Sequence, residues 1–228
     1  MKIIQIVLSI LIVVFLQGCV GNSFVLGPLF SVKQLQEKSL QGDREAQYRL
    51  AIYYEDTGNS SEALMWYEKS ASNDYVLAQN ELGNIYLEGK LGLKEDFDKA
   101  FSYYQKASDG GYYDAINNLS YMYDLGFGTK QDHVKAAELY ELAAQKGSIR
   151  AMYNIGVLYK DGQGVEKDLI QAYKWFELAR YYSTNSRDTN LKSSTKQRLD
   201  EVGSLITPSQ IKTAKALADI WTRSVAKQ

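Results

Sequence analysis

The chain has 228 residues, with 26 Lys and Arg against 27 Asp and Glu, a single Cys and a single His. A pI near 6.0 argues against a nucleic-acid binder, which needs a basic excess, and 45% hydrophobic with 12% aromatic residues is too apolar for a disordered chain. One Cys and one His exclude an internal disulfide framework and a His/Cys zinc site, so we expect neither a metal nor another cofactor.

The first residues have the pattern of a secretory signal. Met1-Lys2 gives a charged start, and the apolar run Ile3–Leu16 is shorter than the roughly 20 residues that span a bilayer. The run ends in Leu16-Gln17-Gly18-Cys19, which resembles the lipobox of bacterial lipoproteins, although Gln17 departs from the small or apolar residue usual there. This resemblance implies that residues 1–18 are a lipoprotein signal peptide and that Cys19 is the lipidated N-terminus.

The same resemblance implies a cellular location. Palmitate and other acyl chains on Cys19 would hold the chain on a membrane permanently, because each buried CH₂ contributes about 0.8 kcal/mol. Val20 stands where an Asp commonly retains such proteins in the inner membrane, so we expect an anchor in the outer membrane, facing the periplasm. Residues 19–30 would then be the lipidated Cys and a tether. The alternative is a plain secreted protein with a free thiol.

The body of the chain contains four copies of one sequence pattern. Aligned alanines recur at steps of 32, 37 and 36 residues, each followed four residues later by Leu or Ile and eight residues later by Tyr. Apolar residues at i, i+3, i+4 and i+7 or i+8 share one helical face, so each copy predicts two helices. The alanines that define the alignment are Ala46, Ala78, Ala115 and Ala151 in the first helix and Ala63, Ala100, Ala136 and Ala172 in the second.

Turn and capping residues mark the helix ends in the later copies. Gly-rich turns lie between the two helices of a copy, and Asp96, Asp132 and Asp168 follow as predicted N-caps of the second helix. Gly83 and Gly156 are small residues that let neighbouring helices approach closely.

The full pattern, A-x3-LG-x2-Y, G-x-G, D-x2-KA-x2-WY-x2-AA-x2-G, resembles the Sel-like repeat, a longer-looped relative of the tetratricopeptide repeat. The resemblance implies an all-α fold, a right-handed α/α solenoid of helix pairs with N- and C-terminal capping helices. Residues 31–182 would form about four repeats and residues 183–228 the C-terminal caps, which include a capping box at Thr207-Pro208-Ser209-Gln210. The first copy has a shorter turn and is similar to an ordinary tetratricopeptide unit.

The resemblance also implies a binding surface. In related solenoids the first helix of each pair lines the concave face, and its positions off the packing stripe meet a ligand. Tyr and Asn are frequent there, which suits an interface of aromatic anchors and adaptable amides. The predicted partner-binding residues are Tyr48, Ile52, Glu55, Asn80, Asn84, Leu87, Asn117, Tyr121, Asp124, Tyr153, Val157 and Lys160.

A membrane-anchored periplasmic solenoid of this kind is expected to bind another protein. One role implied by the resemblance is immunity, in which the solenoid captures an antibacterial toxin such as a lipase or phospholipase effector; the alternative is an envelope or host-interaction adaptor. A β-lactamase-like hydrolase is disfavoured, because Ser193-Ser194-Thr195-Lys196 matches S-x-x-K but the companion motifs S-D-N and K-T-G are absent. We therefore expect no enzyme, no nucleic-acid partner and no small-molecule substrate.

Overall fold

A computed structural model describes residues 31–225 of the chain. The predicted signal peptide (1–18), Cys19 and the tether to residue 30 lie outside the described residues. Within 31–225 the chain forms eleven α-helices and no strand. They are α1 (Val32–Leu40), α2 (Arg44–Asp56), α3 (Ser60–Ser72), α4 (Val76–Glu88), α5 (Phe97–Asp109), α6 (Tyr113–Leu125), α7 (His133–Gln145), α8 (Ile149–Asp161), α9 (Leu169–Tyr182), α10 (Thr189–Leu205) and α11 (Pro208–Val225).

The helices form four consecutive antiparallel pairs, which we call repeats 1 to 4. The first helix of each pair, here called the A helix, is α2, α4, α6 or α8, and the second, the B helix, is α3, α5, α7 or α9. Each A helix packs against its own B helix, and each B helix of repeats 1 to 3 also packs against the next A helix. The predicted all-α, α/α solenoid is therefore confirmed. Its core consists of the repeat alanines and the large side chains that follow them.

The predicted helix ends are confirmed. Asp96, Asp132 and Asp168 are the N-caps of α5, α7 and α9, and each side chain accepts a hydrogen bond from a free backbone N–H of the first turn. At the other end, α4, α6 and α8 all stop at a glycine in the left-handed region, as a helix C-cap requires. The A–B turns are thus set by local sequence.

Aromatic rings of the B helices pack directly over glycines of the A helices. A Cβ on Gly83 would lie 2.5 Å from Cε1 of Tyr104, and one on Gly156 would lie 2.8 Å from Cε1 of Phe176. Both rings are completely buried. The predicted close approach therefore occurs within a repeat, between the ring of the B helix and the backbone of the A helix. Because glycine has no side chain, there is room for the ring.

The later A–B turns also contact the preceding repeat. A Cβ on Gly128 would overlap the carbonyl oxygen of Phe97, and one on Gly164 would overlap that of His133. Phe97 and His133 are the first residues of the B helices α5 and α7. The second glycine of each turn therefore joins one repeat to the repeat before it.

Additional helices close both ends of the stack. At the N-terminal end, α1 begins with a capping box between Ser31 and Gln34 and packs on α2. At the other end, α10 and α11 both pack on α9. The predicted capping box at the start of α11 is confirmed by hydrogen bonds between Thr207 and Gln210, and no helix within residues 31–225 is long and apolar enough to cross a membrane.

Candidate protein-binding face

The twelve predicted partner-binding residues occupy three positions in each A helix: the second, sixth and ninth residue after the repeat alanine. The structure gives these positions different surroundings. The second position points toward the next A helix, where Asn80 and Asn117 are only 8% and 6% exposed. The prediction that these two amides are available to a partner is therefore wrong.

The buried amides join neighbouring A helices. Asn118 Nδ2 of α6 donates to Asn80 Oδ1 of α4 at 3.0 Å, and Asn154 Nδ2 of α8 donates to Asn117 Oδ1 of α6 at 3.2 Å. We call each such contact between consecutive A helices a rung. Since a buried amide left without a partner is costly, these rungs fix how successive A helices lie beside each other.

The fourth repeat is covered by the chain itself. Arg198 Nε of α10 lies 3.5 Å from the hydroxyl of Tyr153, and Lys160 Nζ donates to Glu201 Oε1 of α10 at 3.1 Å. Val157 packs against the apolar cluster that contains Leu199 and Val202 of α10. Tyr153, Val157 and Lys160 were predicted to bind a partner, but α10 occupies them because it takes the place of a fifth A helix.

The face of repeat 1 carries tyrosines and a carboxylate. The hydroxyl of Tyr67, in the B helix α3, donates to Glu55 Oε2 at 2.6 Å. The ring of Tyr48 lies 5.8 Å from that of Tyr67 and 5.4 Å from that of Tyr75. Burial, with further contributions from Glu81, Tyr75 and Glu55, raises the pKa of Tyr48 to about 12. Tyr48 is therefore a neutral, half-buried ring at neutral pH.

Glu81 of α4 faces the same region. It is the third residue after the repeat alanine, the position that Asn118 and Asn154 hold in the next two repeats. Asn84 Nδ2 donates to Glu81 Oε2 at 3.0 Å, and Asn84 Oδ1 accepts from the hydroxyl of Tyr104 at 2.8 Å. Burial raises the pKa of Glu81, and the negative charge of Glu55 adds to the shift.

Repeat 3 contributes the most exposed aromatic residue of the face. Tyr121 is 40% exposed and makes an edge contact with Phe127, with ring centroids 6.2 Å apart. Asp124 Oδ1 lies 2.7 Å from Nδ1 of His133, the first residue of α7. Of the predicted residues, those still accessible are half-buried or exposed and lie in repeats 1 to 3. This open A-helix face consists of Tyr48, Ile52, Glu55, Asn84, Leu87, Tyr121 and Asp124, to which the structure adds Glu81.

Four consecutive segments of the chain match one family of repeats. The Sel1 repeat matches residues 44–75, 76–112, 114–148 and 149–180, which are the four helix pairs described above. The chain belongs to the Sel1 repeat family. No curated protein matches this Sel1 repeat chain.

Solved structures of other Sel1 repeat proteins have the same fold. A Sel1 repeat protein from Oxalobacter formigenes is 24% identical with a TM-score of 0.64, over 86% of this chain and 78% of that one. The protein c5321, a protective antigen present in uropathogenic Escherichia coli strains and displaying an SLR fold, is 26% identical with a TM-score of 0.50. The alignment covers 86% of this chain and 49% of the E. coli protein, so the chain spans about half of that relative's length.

The S-x-x-K sequence of this Sel1 repeat chain lies on the exposed side of α10. The hydroxyl of Ser193 donates to the backbone carbonyl of Asn190 at 2.9 Å. Lys196 Nζ lies 3.5 Å from Asp200 Oδ2, and its side chain is 79% exposed. A catalytic serine needs a neighbouring base in hydrogen-bond reach, whereas the hydroxyl of Ser193 contacts a backbone carbonyl and the amine of Lys196 lies beside a carboxylate. Among residues 31–225, no three His, Cys, Asp or Glu side chains are close enough to hold a metal ion.

Proposed function

We propose that the open A-helix face of repeats 1 to 3 holds one protein partner. Sel1 repeat proteins typically bind other proteins and are typically not enzymes. The observation that supports this location is the contrast between repeats: α10 occupies the equivalent face of repeat 4, whereas the side chains of repeats 1 to 3 have no helix over them within the described residues. The binding surface then begins at α2 and ends where α10 begins to cover α8.

The chemistry of this face suits protein recognition. Tyr121 offers a large ring with a polar end, and Ile52 and Leu87 offer half-buried apolar surface. Aromatic anchors of this kind supply much of the binding energy in protein interfaces. The buried rungs beneath them hold the A helices in fixed positions, so little ordering is needed when a partner binds.

The proposal includes a lipid anchor on Cys19, as the lipobox resemblance implies. The Cys19→Ser variant should give an unprocessed or soluble precursor, because no acyl chain can then be attached. The measurement is membrane fractionation beside mass spectrometry of the N-terminus. Wild-type protein found without acylation in the soluble periplasmic fraction would contradict the anchor and leave the protein-binding proposal intact.

In its finer form, the proposed function is immunity: the partner is an antibacterial toxin such as a lipase or phospholipase effector. The test is affinity purification of the mature protein with mass spectrometry, followed by co-expression with the recovered partner. An immunity protein should yield one tightly held partner, encoded next door, whose toxicity it suppresses. Several weakly held partners with no toxicity would contradict this role.

A second candidate is an envelope or host-interaction adaptor. The observation that favours it is the likeness to the E. coli protein described as a protective antigen. The same purification separates the two roles, because an adaptor should return several partners and no neighbouring toxin gene. Turnover of a β-lactam by purified protein would favour a hydrolase instead, against the surroundings of Ser193 and Lys196 described above.

A further inference from the structure

The last three helices form a cleft at the C-terminal end of the stack. Helices α10 and α11 both pack on α9 but make almost no contact with each other, whereas the A and B helices of a repeat pack closely. The cleft between them has α9 as its floor and a volume of about 470 Å³. This volume lies within the roughly 300–1,000 Å³ of typical ligand sites. None of the lining residues belongs to the open A-helix face.

Positively charged side chains outnumber carboxylates in the lining of this C-terminal cleft. The cations come from all three helices. They are Arg180, Lys192, Lys196 and Lys215, against the carboxylates of Glu177 and Asp200. The excess extends over the capping helices, since residues 183–228 contain eight Lys and Arg against four Asp and Glu, whereas residues 31–182 contain 17 against 23. The cleft therefore lies in the basic end of an otherwise acidic chain.

Both carboxylates of the cleft already contact a cation. Glu177 accepts two hydrogen bonds from the guanidinium of Arg180, at 2.8 Å from Nε and 2.6 Å from Nη2. Asp200 Oδ2 lies 3.5 Å from Lys196 Nζ. These two pairs account for both negative charges of the lining and for two of its four positive charges.

The other two cations, Lys192 and Lys215, have no ion pair. Lys192 Nζ donates to the backbone carbonyl of Thr184 at 2.8 Å, which is a neutral acceptor. Lys215 is exposed; after the hydrogen bonds from Arg180, its charge is a further cause of the lowered pKa of Glu177. No carboxylate oxygen of residues 31–225 lies within 4.0 Å of either amine. The lining therefore has two positive charges without an anion.

The lining is extended and partly apolar. On α9 it reaches from Tyr173 to Arg180, about 10 Å at 1.5 Å per residue, and on α10 two lysines one turn apart follow the same direction. The nearly buried side chains of Tyr173 and Leu199 add apolar surface. An inorganic anion would fill only part of this length. An extended peptide, at about 3.3 Å per residue, would cover it with three or four residues.

We propose that the C-terminal cleft binds a short acidic segment of a partner protein, with carboxylates of that segment on Lys192 and Lys215. This inference goes beyond the proposed function, because it adds a second binding surface that shares no residue with the open A-helix face. Carboxylates accept charge-assisted hydrogen bonds from the amines. Recognition of acidic motifs by clustered basic side chains recurs among peptide-binding proteins.

The test uses the full mature chain and a phage-displayed library of short random peptides. The library is first depleted on the Lys192→Gln/Lys215→Gln variant, which removes peptides that bind elsewhere. Peptides then selected on wild type should contain Asp or Glu, and their synthetic versions should bind at least about fivefold more weakly to Lys215→Gln, because a charge-assisted contact is lost. Replacing the peptide carboxylates by amides should cause a similar loss. Lys215→Gln should then have little further effect, since both changes remove the same contact.

Lys212→Gln is the matched control. It removes the same charge from the same helix, at an exposed position that does not line the cleft, and should leave peptide affinity within about twofold. Circular dichroism should be unchanged in both single variants. A depleted library that yields no binder, selected peptides without acidic residues, or equal binding to Lys215→Gln and wild type would each overturn the proposal.

Two further probes distinguish an acidic peptide from other anions. Inorganic phosphate at millimolar concentration should not displace the selected peptides, and vesicles of phosphatidylglycerol should bind wild type and Lys215→Gln equally. Displacement by phosphate, or weaker vesicle binding by Lys215→Gln, would overturn the acidic segment as the occupant in favour of a phosphate group. Failure of the cleft would leave the proposed function in place, because a partner on the open A-helix face does not contact Lys215.

Discussion

At the residue scale, the packing of repeats 2 and 4 depends on a glycine in the A helix. Gly83 and Gly156 lie under the buried rings of Tyr104 and Phe176, and there is no space for a Cβ at either position. Glycine in a helix interior normally costs about 1 kcal/mol relative to alanine. Here the cost is offset because the aromatic ring reaches the A helix and, for Tyr104, places its hydroxyl on Asn84.

We predict that Gly83→Ala lowers the free energy of unfolding by about 1 to 2 kcal/mol, since overpacking a buried ring outweighs the gain in helix propensity. Gly203 in α10 is the matched control, because a Cβ there would lie 3.5 Å from Cε2 of Tyr173, an ordinary contact. Gly203→Ala should raise stability by about 0.5 to 1 kcal/mol. Urea denaturation measures both, and equal signs would contradict the packing argument.

Glu81 gives a prediction about pH. Burial raises its pKa in the folded state, so the folded protein binds a proton more readily than the unfolded chain. Stability should therefore fall as pH rises from the unfolded pKa through the folded one, and the penalty should be complete above it. Glu81→Gln should remove this contribution, making the variant more stable than wild type at neutral pH and flattening the dependence. Thermal melting between acidic and neutral pH, with Glu141→Gln as control, checks this expectation.

At the element scale, the A–B turn both ends a helix and joins two repeats. Gly164 has φ +68 and lies against the backbone of His133 in the preceding repeat, whereas Gly92 in the corresponding turn of repeat 2 has φ +81 and nothing within 4 Å. Both positions need the left-handed conformation, which costs other residues about 1 to 2 kcal/mol. Only at Gly164 would a Cβ also collide with the neighbouring backbone.

This difference predicts that Gly164→Ala destabilises the protein by about 2 kcal/mol more than Gly92→Ala, because the first change adds a backbone clash to the same conformational strain. Denaturant unfolding of the two variants measures the difference. A similar loss in both would mean that the contact between repeats is easily relaxed.

The helices and their ends could be predicted from the sequence because they depend on local patterns. The spacing of apolar residues predicts the helix pairs, and Asp96 and its equivalents predict the N-caps. The binding face was harder to predict. The periodicity of one A helix shows which side its second position faces, but not what the neighbouring A helix covers there. Whether Asn80 meets solvent or Asn118 depends on where the next A helix lies. The polar doublets Asn80-Glu81, Asn117-Asn118 and Tyr153-Asn154 at one repeat position were the available signal.

For the whole molecule, the contacts are those of a linear stack. Each repeat packs on its neighbours, and the last B helix, α9, is covered by α10 and α11 together. Trp175, 1% exposed, packs edge-to-face on Trp221 of α11 with ring centroids 5.6 Å apart. The C-terminal helices thus complete the core at one end and limit the open A-helix face to repeats 1 to 3.

We predict that Tyr121→Ala weakens binding of the recovered partner by about 2 kcal/mol and leaves the fold intact, because this ring is exposed on the open face. Tyr153→Ala should instead lower stability, since its ring packs on Phe176 and its hydroxyl meets Arg198. Glu141→Ala, on the B helix α7, should change affinity by less than about 0.5 kcal/mol. Titration beside circular dichroism distinguishes these cases. Loss of binding in Glu141→Ala alone would place the partner on the outer surface.

The contact of Gly164 with the preceding repeat also bears on how such a chain can change in length. Gly128 and Gly164 make the same backward contact, each to the first residue of the B helix one repeat earlier. A tandem duplication of one whole unit would therefore bring with it both the turn and the helix end that the next turn needs. The interior of the stack could lengthen by gene duplication without a single new kind of contact. Each added unit would extend the open A-helix face by one more A helix, so that the length of this face would follow the number of copies that the gene carries.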